Sequence, residues 1–380
     1  MITININNPN PQTAPTCAAD VANSNCFRAT ALGYTASILD PSRIDYTNVS
    51  LRYTPPDTRT GYVQSWHFTV QQQLAKDLLF EVAYVGNHGV KLMTLGDVNQ
   101  ARPQNPNENS TLNSRRPYLG FGDVEISYGA GYDTYHALQT KLEKRFSGGF
   151  YFLNSFTWSK LIDNASGHLE ANNGDNSRVN FLDPGYNKGV GSYNQPFSNT
   201  TTVVYALPYG KGRKFGSTAN PVLTAIIGGW QATFINTMSS GMPVNLNYGP
   251  ASRYSVSGYP TYRPTLLGDP MAPSGQRNID NYFNKANAII PVDPLNPNPF
   301  GNAGRNTVRS YAIYQTDLGL HKDFPLWSEI RKLEFRSEFF NLMNKTNFQA
   351  PNSTSSSSAF GAIRSTFPAR VIQMAMKFVF

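Results

Sequence analysis

The sequence predicts an all-β chain: part of an antiparallel transmembrane β-barrel, about nine to eleven strands of a larger barrel, with long extracellular loops and short periplasmic turns. Three observations predict it. Apolar and polar residues alternate with period two over long stretches, short and long connections alternate along the chain, and aromatic residues gather near the ends of the alternating stretches. The composition agrees. Of 380 residues only 15% are charged, against about a quarter in ordinary globular domains. A further 13% are aromatic, and 30 glycines with 26 prolines put frequent turns along the chain. A coiled coil would be rich in Ala, Glu, Lys and Leu, and a disordered tail would be poor in aromatics. No apolar run approaches the roughly 18–20 residues of a spanning helix; Val222–Ile227 is among the longest. A helical membrane protein is thereby excluded, whereas one that crosses with strands is not.

Taken in order, residues 1–61 read as an irregular N-terminal segment on the extracellular side. Cys17 and Cys26 lie in its polar stretch, as a local disulfide or as two separate thiols, with no CxxC pair and no zinc spacing. Met1-Ile-Thr-Ile-Asn has neither a basic nor an apolar leader region, so no signal peptide is visible. Residues 62–380 then read as barrel strands and loops. Tyr62, Trp66, Phe68, Val70 and Leu74 alternate with polar neighbours, and a short connection at Ala75-Lys76-Asp77 leads into Leu78, Phe80, Val82 and Tyr84. From Tyr132 one parity carries His136, Leu138, Leu142 and Phe146. The other carries Gln139, Lys141, Glu143 and Arg145. Successive strand side chains point to opposite faces, so this strand has one apolar and one charged face. Ser147-Gly148-Gly149 turns it into a second strand with Phe150, Phe152, Phe156 and Trp158 on one face.

Phe197–Leu207, Trp230–Ser240 and Tyr314–Phe324 continue the pattern less strongly. Leu333, Phe335 and Phe339 alternate with Glu334, Arg336 and Glu338, and Ile372 to Phe380 close the chain in the same way. Strand passes are expected to start near Tyr62, Leu78, Tyr132, Phe150, Phe197, Trp230, Tyr314, Ile330 and Val371. The long connections, about 96–131, 162–196, 241–311 and 343–369, are loaded with Asn, Pro, Ser and Gly. An outer-membrane barrel has short turns on its periplasmic side and long loops outside. A soluble antiparallel sandwich would alternate too. Strand length, loop asymmetry and aromatics near strand ends (Tyr62, Phe146, Phe150, Trp158, Trp230, Phe324 and Phe380) favour the barrel.

Tyr62-Val-Gln-Ser-Trp-His-Phe, Phe80-Glu-Val-Ala-Tyr-Val-Gly-Asn-His-Gly and Tyr135-His-Ala-Leu-Gln-Thr-Lys-Leu-Glu-Lys-Arg-Phe carry a resemblance, as do Phe335-Arg-Ser-Glu-Phe-Phe-Asn-Leu-Met-Asn-Lys-Thr-Asn-Phe and the terminal Arg370–Phe380. The chain resembles the C-terminal barrel of Oar-like TonB-dependent outer-membrane receptors over nearly its whole length. The resemblance implies an outer-membrane location, a surface-bound nutrient ligand and uptake energised by the TonB complex. It also implies that Phe378 and Phe380 match the terminal signal read by the barrel-assembly machinery. The sequence departs from the family in showing no signal peptide, regulatory-like domain or plug. Nine passes with a final one toward the periplasm also imply an odd strand number, where a single-chain bacterial barrel has an even one. The expectation is therefore the C-terminal part of a larger receptor, its TonB contact made through a plug region missing here.

Lys141, Glu143, Arg145, Glu334, Arg336 and Glu338 are the candidates for a charged lumen wall, with ordinary cross-strand ion pairs as the alternative. Tyr186, Tyr193, Tyr254, Tyr259 and Tyr262, in the long loops, are the candidates for stacking on a ligand, or simply pack the loops. A passive porin-like or adhesin barrel and a secreted carbohydrate-binding β protein are the alternative functions. No catalytic residue, cofactor or metal is expected. His67, His88, His136, His168 and His321 are dispersed, His168 beside Glu170 forms only a lone His-x-Glu, and Asp269, Asp280 and Asp293 lack calcium-loop spacing. The net charge of +8 is spread singly apart from Lys211, Arg213 and Lys214. That group reads as a basic turn at a sheet end, and nucleic acid is not an expected partner.

Overall fold

Alternation with period two builds a sheet in which each strand is followed by its own neighbour. The computed structural model describes residues 49–380 except 170, 173, 174, 177, 211, 219, 251–253, 257–260, 292–296 and 327–330. Cys17, Cys26, Glu170, Lys211, Tyr259, Asp293 and Ile330 lie outside the described residues, as does most of the 1–61 segment. Among the described residues nine long strands form the wall: β1 (Tyr62–Ala75), β2 (Leu78–Asp97), β3 (Val124–Ser147), β4 (Phe150–Asp163), β5 (Phe197–Ala206), β6 (Trp230–Ser239), β7 (Ile313–Pro325), β8 (Lys332–Phe340) and β9 (Val371–Val379). They pair antiparallel in strict chain order from β1 to β9. Two short strands join the same sheet, Leu51–Tyr53 parallel to β3 and Gly189–Val190 against β4. Among the described residues the sheet is open, with β1 and β9 as its edges.

The register sorts the residues onto two faces. Leu138 pairs with Trp158, Phe152 with Val203, Phe234 with Leu318, and Phe335 with Met376, all on one apolar face. Glu81 pairs with Lys141, Gln139 with Thr157, Gln231 with His321, and Glu334 with Lys377 on the other. Aromatics close the apolar face at its turn end, where Phe150 and Tyr205 lie edge to face at 6.0 Å and Trp230 and Phe335 do the same.

Where connections are short, turn chemistry explains them. Gly148 and Gly149 take φ of +59° and +82°, the two successive positive values that a tight two-residue hairpin needs. The β2–β3 hairpin is taller than the sequence suggests. Its strands have 20 and 24 residues against nine to fourteen elsewhere in the wall, so β2 ends at Asp97 and β3 starts at Val124, eight residues before Tyr132. Pairing needs only backbone, and Gly86, Gly89, Gly96, Gly129 and Gly131 erase the alternation that would have shown it. Gly86 has a packing reason: a Cβ there would lie 2.2 Å from the Trp66 indole.

The β5–β6 connection holds an unexpected helix, α1 (Pro221–Ile227). Asn220 caps it by accepting from Leu223 N at 2.8 Å, and Pro221 occupies the first turn. The long connections are not structureless either. They contain the hydrophobic core of the molecule: Val244, Leu246, Tyr282, Phe283, Val308, Phe360 and Ile363 pack together, and Tyr248, Val256 and Tyr262 form a second cluster.

Candidate ligand-binding loop layer and polar wall

Four connections sit at the end of the wall opposite the tight turns: L1 (98–123), L2 (164–196), L3 (240–312) and L4 (341–370). Each begins from a strand end, and buried polar side chains then lock it to its neighbours. In L1, Asn99 donates from Nδ2 to the carbonyls of Tyr118, Phe121 and Gly122 and accepts from Tyr118 N. Asp97, at the far end of β2, accepts from Asn99 N and Val124 N, both at 2.8 Å. Its Oδ2 has no hydrogen bond and lies 4.0 Å from Arg116 Nη1. Burial pushes this carboxyl up to about 6, against the pull of the two backbone N–H groups.

L1 and L2 meet through Gln100, which donates to Asn180 Oδ1 at 2.8 Å and accepts from Phe181 N. Arg178 of L2 and Arg52 both pair with Glu125 at the base of β3. L1 reaches L3 through Arg115 Nη2, which donates to Ser255 O at 3.0 Å.

The densest junction joins L2, L3 and β4. The Arg305 guanidinium, 1% exposed, donates to Asp175 from Nε at 2.9 Å and from Nη2 at 2.6 Å, to Asp163, and to Ser166 Oγ at 2.6 Å. Asn306 beside it donates to Val190 O at 2.7 Å. Burial opposes the charge on Arg305, but the hydrogen bonds and charges of Asp175 and Asp163 outweigh it and hold the guanidinium protonated. A second arginine, Arg263, lies 3.5 Å from the centre of the Tyr186 ring and donates to Ala303 O at 2.7 Å. L4 closes on L3 through Phe283 against Phe360 and through Asn247 N to Ser353 O.

The loop tyrosines divide sharply. Tyr262 is 5% and Tyr254 8% exposed, and the Tyr262 hydroxyl accepts from Val256 N at 2.9 Å. Tyr186 is half-buried, with its ring edge to face on Phe300. These rings form the interior of the layer, because a loop layer of this size must bury apolar surface to hold a shape. Tyr193 is exposed.

On the polar wall Lys141 pairs with Glu143 at 2.7 Å, two residues along one strand. Lys332 bridges Asp323 at 2.6 Å and Glu334 at 2.9 Å, while Arg336 stands 3.9 Å from Glu334. Arg145 is exposed near the turn end of β3. Asp317, His321, Arg336 and Glu338, with Leu318, Leu320 and Phe339, line a groove of about 320 Å³ between β6, β7 and β8. Phe378 lies on the apolar face opposite Leu333, with the Phe380 ring stacked 5.9 Å away. Among the described residues no group of three or more His, Cys, Asp or Glu could hold a metal ion.

Sequence reasoning missed the locking residues. Asn99, Arg263 and Arg305 sit in polar stretches with no periodic signal, and nothing local marks them as buried. It also missed a polar row across the apolar face, where Asn154 Nδ2 donates to Asn199 and Thr201, and Asn236 Nδ2 to Thr316 at 2.8 Å.

A family model described as an outer membrane beta barrel domain matches residues 2–373. The chain belongs to this family. It is an outer-membrane protein, and its open nine-strand wall is a partial barrel of that family. No curated protein compared with it matches. Among solved structures it is similar to the outer membrane transporter YddB from Escherichia coli (12% identity, TM-score 0.48, covering 88% of this chain and 34% of that one). It is also similar to the siderophore receptor PirA from Acinetobacter baumannii (11% identity, TM-score 0.44, covering 87% and 34%). This barrel chain spans about a third of the length of these proteins.

Proposed function

We propose that this barrel chain forms part of the wall and the surface loop layer of an energised, TonB-dependent nutrient importer of the Oar-like kind. The observation that carries the reading is the loop layer itself: four long connections interlocked by buried Asn99, Arg115, Arg263 and Arg305 above a charged wall face. A barrel that only needed to cross the membrane has no use for a folded layer of that size. The resemblance of the strand segments to Oar-like receptors supports the same reading. In it the apolar face meets lipid and the polar face, with Lys141, Glu143, Arg145, Glu334, Arg336 and Glu338, lines the lumen. There these side chains hold one another and meet a plug region that lies outside these residues and engages the TonB complex. Tyr193, on the exposed surface of L2, is offered to the nutrient, and Phe378 and Phe380 present the final strand to the barrel-assembly machinery.

The test is uptake by cells carrying the complete reading frame, with and without functional TonB, over a panel of labelled ferric chelates, sugars and peptides. Accumulation that stops without TonB is expected. Equal uptake in both strains would make the protein a passive pore, and surface retention without uptake would make it an adhesin.

A further inference from the structure

A connection at the turn end of a barrel wall has no reason to expose apolar side chains unless something apolar covers them. In the β5–β6 connection (207–229), Val222 is 72%, Ile226 62% and Leu223 44% exposed on α1, while Tyr209 and Phe215 stand exposed beside it. The helix has a definite side. The carbonyls of Ala225 and Ile226 accept from Lys322 Nζ, and Ile226 O also accepts from Trp230 Nε1 at 2.9 Å. Trp230 and Lys322 face each other in the β6–β7 register on the apolar face of the wall. The helix therefore continues that apolar face, next to the aromatics Phe324 and Phe335, rather than hanging over the polar one.

Charge completes the pattern. Residues 207–229 contain no Asp or Glu. Arg213 and Lys214 are exposed, and Lys214 Nζ lies 5.5 Å from the centre of the Phe215 ring. The acid that lines the adjoining cleft, Asp323, is held by Lys332 and His321. Apolar side chains beside unopposed cations are what an anionic lipid surface takes up, the former at the acyl boundary and the latter at the phosphates.

We propose that the 207–229 connection is a membrane anchor, with Val222, Leu223 and Ile226 seated in the leaflet that meets the turn end of the wall and Arg213 and Lys214 binding its anionic phospholipid headgroups. The inference rests on the reading that the apolar face of the wall meets lipid, and the test separates the two. The full chain, with Cys17→Ser and Cys26→Ser, is reconstituted into phosphatidylcholine vesicles with or without phosphatidylglycerol. It carries an environment-sensitive dye at Val222→Cys or, on the apolar face of β6, at Phe234→Cys. Brominated forms of each lipid serve as quenchers.

The Val222 label is expected to be quenched, and more strongly by brominated phosphatidylglycerol. Phosphatidylglycerol association should fall about fivefold for each cation removed in Arg213→Gln and Lys214→Gln, with no change at the Phe234 label. An unquenched Val222 label beside a quenched Phe234 label overturns the anchor and leaves the wall standing. Equal quenching by both lipids overturns the headgroup part. Silence at both positions overturns the wall reading and the anchor with it.

Discussion

Arg305 shows how much of the loop layer rests on single side chains. Its guanidinium is the shared cation of Asp163 and Asp175 inside the protein, so removing it leaves two buried carboxyl groups facing each other without their counter-charge. Breaking a buried ion pair from one side costs about 3–5 kcal/mol. Arg305→Met is therefore expected to release L2 and L3, seen as faster hydrogen exchange over 164–196 and 240–312, with the far-UV signal of the wall unchanged. Unchanged exchange would show that the apolar clusters hold the loops without it. Asp97 gives a pH dependence of opposite sign to the usual carboxylate. Because burial raises its folded pKa to about 6, the folded state binds the proton more tightly than the unfolded one. Its contribution is full below about pH 4 and is lost as pH rises through about 6, on the order of 3 kcal/mol in all. Asp97→Asn keeps the acceptor for Asn99 N and Val124 N and removes the charge. The ratio of variant to native protection in L1 is expected to be near one at pH 4 and to grow through pH 6; a flat ratio would show that the carboxyl is hydrated.

Among the elements, the tall β2–β3 hairpin and α1 owe their form to different residues. At Gly86 the strand lets Trp66 lie flat across it, and the Tyr84 hydroxyl bonds His136 Nδ1 at 2.8 Å beside it. Gly86→Val would displace the indole. The expected result is a red-shifted Trp66 emission, read in a chain where Trp66 is the sole tryptophan, with pairing of β1 and β2 preserved. In α1 the Asn220 cap holds one of the first-turn N–H groups of a two-turn helix. Asn220→Ala is expected to cost about 1 kcal/mol and to raise hydrogen exchange at Leu223 and Thr224 without altering β5 or β6. Neither was expected from the sequence: Asn220-Pro221 precedes an apolar run too short to mark a helix by its period, and glycine carries no side-chain period to show the height of the hairpin.

At the scale of the molecule the wall has almost no core of its own. Its apolar face is exposed along β1 and β9 and largely half-buried on the strands between, and the buried hydrophobic clusters lie in L3 and L4. Such a sheet needs lipid on one face, and unpaired strand edges are costly there. Among the described residues the outer edges of β1 and β9 have no strand beside them. The 380-residue chain is therefore expected to require detergent and to sediment in it as associated species rather than one discrete monomer. A discrete, heat-modifiable monomer would show that both edges are satisfied within one chain.

What the sequence determined by itself is the strand frame: period two, which face of each strand is apolar, the short turns, and the approximate start of most passes. These are local properties, set by alternation and by glycines at tight turns, and they suffice because each strand pairs with its neighbour in the chain. The tertiary structure alone decided the loop layer. Arg305 meets Asp175 across 130 positions, Arg115 meets Ser255 across 140, and Tyr262 is buried while Tyr193 is not. Whether a polar or aromatic residue in an irregular segment is locked inside or offered to a ligand depends on partners far away in the chain, and no periodic pattern records them.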